Sequence, residues 1–304
     1  TTVLHAGPIR AALEQQWTLA HLARPAGSAA TLTLRVSLDA ASPVLRISVR
    51  GENLARDHRL RLVLSTGVSE PEVWADAAFG PVRRAPIEVP PEDAAMEVPP
   101  RTAPLHRYLS LFGAAGGATL YSDGLAEYEV LADGRIAVTL VRAVGELSRL
   151  DLPERPGNAG WPTPTPGAQC LHPFEAELAL LLHGGHRDDE TMHLIECTAD
   201  DVLLPLTGRT LRSAIDVRDA AGIALEGEGL AFSAMKDAAD GDWVVLRCVN
   251  LLDHPVQGRW RSARPFVEAQ LARLDETPRG ALPLDGDTIP FVAGPRAVVT
   301  ILAR

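Results

Sequence analysis

Apolar and polar residues alternate with a period of two along most of the chain. Leu32, Leu34, Val36 and Leu38 alternate with Thr31, Thr33, Arg35 and Ser37, and Leu45, Ile47 and Val49 with Arg46, Ser48 and Arg50. Leu60, Leu62 and Leu64 follow Arg59 and Arg61. Residues two apart on a strand share a face, so each segment offers one apolar face and one wetted face, as antiparallel sheets do. The same reading predicts strands at 119–121, 125–131, 135–142, 174–183, 230–235, 243–249, 258–260, 267–271 and 297–302. Asp133-Gly134 joins two of them as a tight hairpin, because glycine tolerates positive φ. Helical signals are few. Residues 10–17 admit a short helix or a strand, and 188–197 predict a turn or two of helix with Asp188 or Asp189 as N-cap. With no strand–helix–strand rhythm, a parallel doubly wound sheet or barrel is not expected.

Two proline-rich stretches interrupt the strands, at 86–104 and 153–166. Proline removes ladder donors, so both predict long surface loops, of the kind that carry function or pack on another domain. A fresh run of short strands starts after Glu226 to Gly229, which predicts a boundary there. The expected architecture is all-β: a large antiparallel β-supersandwich over 1–228 and a smaller C-terminal β-sandwich over 229–304.

Composition narrows the function classes. The 304 residues carry a formal charge of −10, which repels phosphate backbones and argues against a nucleic-acid partner. No apolar run reaches the roughly 18–20 residues of a membrane helix, so no membrane partner is expected. Thr1-Thr2-Val3-Leu4-His5 has neither Met nor a signal pattern and reads as an internal cut. Cys170, Cys197 and Cys248 are odd in number, far apart and without a Cys-x-x-Cys. They read as unpaired thiols in a reducing cytoplasm.

Candidate chemistry is sparse. Glycoside hydrolysis needs two carboxylates flanking the scissile bond, and Asp123, Glu127 and Glu129 cluster around Tyr128. Glu127 and Glu129 share one strand face about 7 Å apart, which also describes an ordinary polar sheet face. His183, His186 and His193 surround Asp188 and Asp189, but the spacing lacks the fixed face of a metal-binding helix. A solvated loop is the simpler reading, and no metal is expected in this chain. Gly113 to Gly117 leads into a strand rather than a helix, so it reads as a tight turn, not a phosphate cradle. No Gly-x-Ser-x-Gly nucleophile elbow occurs, and no catalytic residue is assigned. Trp74, Trp161 and Trp260 offer faces for stacking on a sugar; Trp161, in the proline-rich loop, is the foremost of them.

Three stretches carry a resemblance. The first is Leu120-Tyr121-Ser122-Asp123-Gly124-Leu125-Ala126-Glu127-Tyr128-Glu129-Val130. The second is the apolar strand from Ile136 ending in Leu140-Val141-Arg142, then Gly145, then a loop closing on Gly167-Ala168-Gln169-Cys170. The third is Phe232-Ser233-Ala234-Met235-Lys236-Asp237 followed by Trp243 to Asn250, with Arg247-Cys248-Val249-Asn250 at its end. Together they resemble the C-terminal β region of glycoside hydrolase family 38, the α-mannosidases. The resemblance implies that zinc, the aspartate nucleophile and most of the sugar site belong to a separate N-terminal barrel, which nothing in this chain matches. The chain would hold no cofactor and partner that catalytic barrel. It would lend a few contacts to a mannose-containing carbohydrate, with Asp123, Tyr128, Arg142 and Trp161 as the substrate-binding candidates. Two alternatives stand beside this reading: a free-standing carbohydrate-binding module and a purely structural interaction domain.

Overall fold

The computed structural model describes residues 1–19, 30–152, 154–155, 157, 160–205, 222–239 and 241–304. Pro153 and Pro156 of the second proline-rich stretch lie outside the described residues. The chain divides into two compact units, Thr1–Asp76 with Val82–His186, and Ala77–Pro81 with Arg187–Arg304. The division falls at His186/Arg187, ahead of the stretch at Glu226 to Gly229, and it puts the helix Asp189–Leu203 and the strand Ile223–Glu226 in the second unit.

The first unit contains a nine-stranded sheet. Its strands run, side by side, Thr2–Ala6, Arg10–Leu19, Ala30–Asp39, Val44–Glu52, Pro173–His183, Gly116–Asp123, Tyr108–Gly113, Glu72–Ala75 and Val82–Arg83. A four-stranded sheet orders Arg59–Leu64, Ile136–Arg142, Glu127–Val130 and Ala103–Pro104. Every pairing in both is antiparallel. The alternation explains the packing. Leu34 lies opposite Val49, which lies opposite Ala176, so one apolar stripe crosses three strands. It meets Tyr128, Ile136 and Val138 of the smaller sheet in a single core. Two facing sheets with interdigitated apolar faces make a sandwich.

Residues 10–17 take the strand alternative. Arg10–Leu19 is flanked by strands on both sides and runs in register with Ala30–Asp39 from Arg10↔Asp39 to Leu19↔Ala30, and that ladder outweighs the helix-favouring Ala, Leu, Glu and Gln of the segment. In the strands Tyr108–Gly113 and Gly116–Asp123 both faces are buried. Leu109, Leu111, Ala118 and Leu120 face the core. On the other face Tyr108 and Tyr121 meet edge-on at 6.0 Å, and the Ser110 and Thr119 hydroxyls bond at 2.8 Å.

The second unit holds a five-stranded sheet, ordered Leu230–Asp237, Val244–Asn250, Val298–Ala303, Ala269–Ala272 and Pro278–Ala281. A three-stranded sheet orders Ile223–Glu226, Val256–Ser262 and Thr288–Ala293. Val256, Gly258, Trp260 and Ser262 are buried while their alternates are exposed, a full period-two strand. Trp260 meets Phe232 of the other sheet at 6.3 Å. A Cβ on Gly258 would lie 2.5 Å from both Leu230 and Phe291, so glycine is what lets the sheets close at that point. The helix Asp189–Leu203 begins as expected, with the Asp188 carboxylate accepting from the Thr191 N–H at 2.8 Å. Met192, Ile195, Glu196 and Ala199 form its buried stripe, and that spacing carries the helix past Cys197 to Leu203. Among the described residues no helix is long and apolar enough to cross a membrane.

Candidate functional site

The loop that bears Trp161 is held at its base by a polar clasp. Asn53, the residue after the strand Val44–Glu52, is fully buried. Its side-chain N–H groups donate to the Gln169 and Cys170 carbonyls at 3.2 and 3.1 Å, and its Oδ1 accepts from the Ala55 N–H at 3.1 Å. Gln169 completes the clasp: its Nε2 donates to Asp57 Oδ1 at 2.9 Å, and its Oε1 accepts from the Asp57 N–H at 2.9 Å. A Cβ on Gly145 would lie 2.4 Å from Asp57 Oδ1 and 2.6 Å from Gln169 Nε2. Gly145 and Gln169 of the second resembling stretch therefore owe their identity to the clasp. The loop then leaves Trp161 89% exposed.

The four candidate sugar-binding side chains sit in different surroundings. Asp123 is exposed at the end of its strand, opposite Glu177 of the nine-stranded sheet. Arg142 lies on the outer face of the four-stranded sheet, its guanidinium 4.0 Å from Glu127. Tyr128 belongs to the core of that sheet and is only 2% exposed. Its ring offers no free face to a sugar, and burial pushes its phenol up, against the pull of the Arg84 charge.

The paired carboxylates are occupied. Glu127 accepts from the Thr139 hydroxyl at 2.6 Å and from Arg59 at 3.3 Å, and Glu129 pairs with Arg61 at 2.5 Å. They form a charge ladder on the wetted sheet face. The histidines and aspartates are likewise dispersed among other partners. His183 contacts the Thr119 hydroxyl at 2.9 Å and the Gly184 carbonyl at 2.7 Å, and burial holds its pKa below the ordinary value. Asp189 pairs with His254 at 2.7 Å, which raises the His254 pKa. His193 stands 3.5 Å from the Cys197 sulfur. Among the described residues no three His, Cys, Asp or Glu side chains gather as a metal would need. A zinc ion thus finds no fitting donor set among them.

Ala114 and Ala115 turn between two paired strands, so the glycine-rich segment is a hairpin turn. Of the tryptophans, Trp260 is 1% exposed in the core, and Trp74 donates to Glu72 at 2.9 Å. Cys248 is wholly buried, and its thiol is pushed up to about 12 by burial. Burial and then Asp200, Asp201 and Glu196 raise the Cys197 thiol. One cluster carried no motif in the sequence. The buried Asp76 carboxylate accepts from the Arg107 fork at 3.0 and 3.1 Å and contacts His106 Nδ1 at 2.5 Å. The spacing of positions 76, 106 and 107 gives no signal; only the pairing of their strands brings them together.

Comparison with known proteins places this geometry. No protein-family model matches the chain. A Halalkalibacterium halodurans protein named as a candidate mannosylglycerate hydrolase is 31% identical over 243 residues, 78% of this chain and 25% of that protein. An α-mannosidase structure from Enterococcus faecalis superposes with a TM-score of 0.78 at 24% identity, over 99% of this chain and 34% of that one. A second Enterococcus faecalis structure, of a protein in glycosyl hydrolase family 38, gives 0.76 at 22% identity, over 99% and 36%. The chain thus spans about a quarter of the relative and about a third of each solved structure. Its fold is that of part of a family 38 protein, and the all-β resemblance drawn from the sequence holds.

Proposed function

We propose that this chain is the β region of a family 38 glycoside hydrolase, one that breaks no bond itself and buttresses a catalytic barrel outside these residues. The observation that carries the reading is the superposition of 99% of the chain on about a third of an α-mannosidase. The arginine-paired Glu127 and Glu129 support it, because a carboxylate held in a charge ladder is not poised as an acid or a nucleophile. In the full-length enzyme the barrel would bring the zinc and the nucleophile, and the β region would help shape the mannoside pocket. Asp123, Arg142 and Trp161 keep accessible side chains for that role. The guanidinium fork of Arg142 suits hydroxyl or carboxylate groups. Three free thiols suit a reducing cytoplasm.

The test is an assay of the 304-residue chain with an aryl α-mannoside in the presence of zinc. No turnover is expected; zinc-dependent release of the aryl group would overturn the reading. The exposure of Trp161 favours a second reading, carbohydrate binding by the chain alone. In that case titration calorimetry with mannose gives saturable heat that Trp161→Ala abolishes, while a flat titration removes this reading.

A further inference from the structure

A cavity of about 440 Å³ opens in the first unit between the segment after Arg84 and the four-stranded sheet. That volume lies within the roughly 300–1,000 Å³ typical of small-molecule sites. Its lining combines an apolar body, including Pro71, Ile87 and Val130, with Arg84, Arg101, Tyr128 and one carboxylate, Glu70. Three features single it out. Tyr128 is 2% exposed and its hydroxyl has no hydrogen-bond partner, a state that is costly in a folded protein. Among the described residues neither Arg84 nor Arg101 has an ion-pair partner, although the chain carries ten more negative charges than positive. The lining is mainly apolar, which would hold the hydrocarbon part of a ligand and strengthen a charge pair at its rim.

We propose that this cavity binds a small amphipathic carboxylate, an aryl- or alkyl-carboxylic acid. Its anionic end meets Arg84 and Arg101, and the Tyr128 hydroxyl donates the hydrogen bond that it otherwise leaves unmade. Two guanidinium groups against the single carboxylate of Glu70 leave the lining net positive, which complements an anion rather than a neutral sugar. The forked guanidinium matches a carboxylate better than an ammonium would. This site stands apart from the charge ladder of Glu127 and Glu129, which lies on the opposite face of the same sheet, and does not depend on the proposed role of the chain in a mannosidase.

The test uses the 304-residue chain with 4-phenylbutyrate and its neutral amide as probes, followed by calorimetry and by amide shifts in two-dimensional NMR. The carboxylate is expected to bind saturably and to shift amides at 84–87, 101–103 and 128–132. The neutral amide is expected to bind about tenfold more weakly. Arg84→Ala combined with Arg101→Ala, both at exposed positions, should also weaken binding about tenfold. Tyr128→Phe, which keeps the ring in the core, should weaken it several-fold. Equal affinity for the acid and the amide, undiminished binding by the double arginine variant, shifts confined to another surface, or no binding at millimolar concentration would each overturn the proposal.

Discussion

Asn53 in the first unit and Asn250 in the second are built alike, yet they close their structures differently. Each is fully buried at the end of a strand, Asn53 just after Val44–Glu52 and Asn250 as the last residue of Val244–Asn250, and each accepts on Oδ1 from the N–H two residues on, Ala55 at 3.1 Å and Leu252 at 2.9 Å. Each then spends its side-chain N–H groups on distant backbone carbonyls. Asn250 reaches His254 and Gly294 at 2.8 Å and Ala293 at 3.3 Å, no more than 44 residues away. Asn53 reaches Gln169 and Cys170, 116 and 117 residues away. The short closure rests on one amide. The long one shares the work among Asn53, Gln169, Asp57 and a glycine. A network of that kind keeps part of its hold when one member is removed, whereas removing a single buried amide takes away all of its bonds at once.

The comparison can be broken by substitution. Asn250→Ala removes a donor from three carbonyls, of which Gly294 keeps the Ala297 N–H, and takes the acceptor from the Leu252 N–H; it should cost about 3 kcal/mol, read as a lower urea midpoint. Gly145→Ala should come next, at about 2 kcal/mol, because its Cβ drives Asp57 and Gln169 apart. Asn53→Ala should cost about 1.5 kcal/mol, with Gln169 still bonded to Asp57. A double-mutant cycle with Gln169→Ala should show coupling above about 0.5 kcal/mol. If Asn53→Ala costs more than Asn250→Ala, the contrast between network and single amide is wrong.

The smallest effects are electrostatic and have opposite signs in the two units. Burial lowers the His183 pKa from the ordinary 6.5, so the unfolded chain binds the proton more readily. The His183 contribution is complete above 6.5 and is lost as pH falls through the folded value. Asp189 raises the His254 pKa from 6.5. That contribution is complete below 6.5 and is lost as pH rises through the folded value. Ring-proton NMR titration of each histidine checks both directions. Similar midpoints for the two would end this part of the comparison.

Strands such as Leu32 to Leu38 are legible because their alternation is local and shows its faces within seven residues. Of Val256–Ser262 only 258–260 is predicted, and Tyr108–Gly113, where burial on both faces removes the alternation, is not predicted at all. Residues 10–17 were ambiguous because Ala, Leu, Glu and Gln favour a helix, and only the neighbouring strands decide otherwise. Tyr128 shows a signal that was present and could have been used. If Glu127 and Glu129 share a wetted face, the residue between them must point into the core. The partners of the two glutamates were not legible. Arg59 and Arg61 lie 68 residues away from them, and only the pairing of Ile136–Arg142 with both Arg59–Leu64 and Glu127–Val130 brings them near. The same holds for Gly145, whose glycine was recognised as part of a pattern before its steric reason could be seen.

One backbone bond ties the two proline-rich stretches together: the Val98 N–H donates to the Glu154 carbonyl at 2.6 Å. Because the tie uses main-chain atoms alone, neither side chain is needed to keep it. Val98 and Glu154 are both exposed, so exchanges at these positions leave the bond in place unless they introduce proline at 98, which has no N–H to give. The surface that these stretches present can therefore drift in composition over generations while its outline persists. A lineage could retune what that surface meets without first rebuilding the scaffold beneath it.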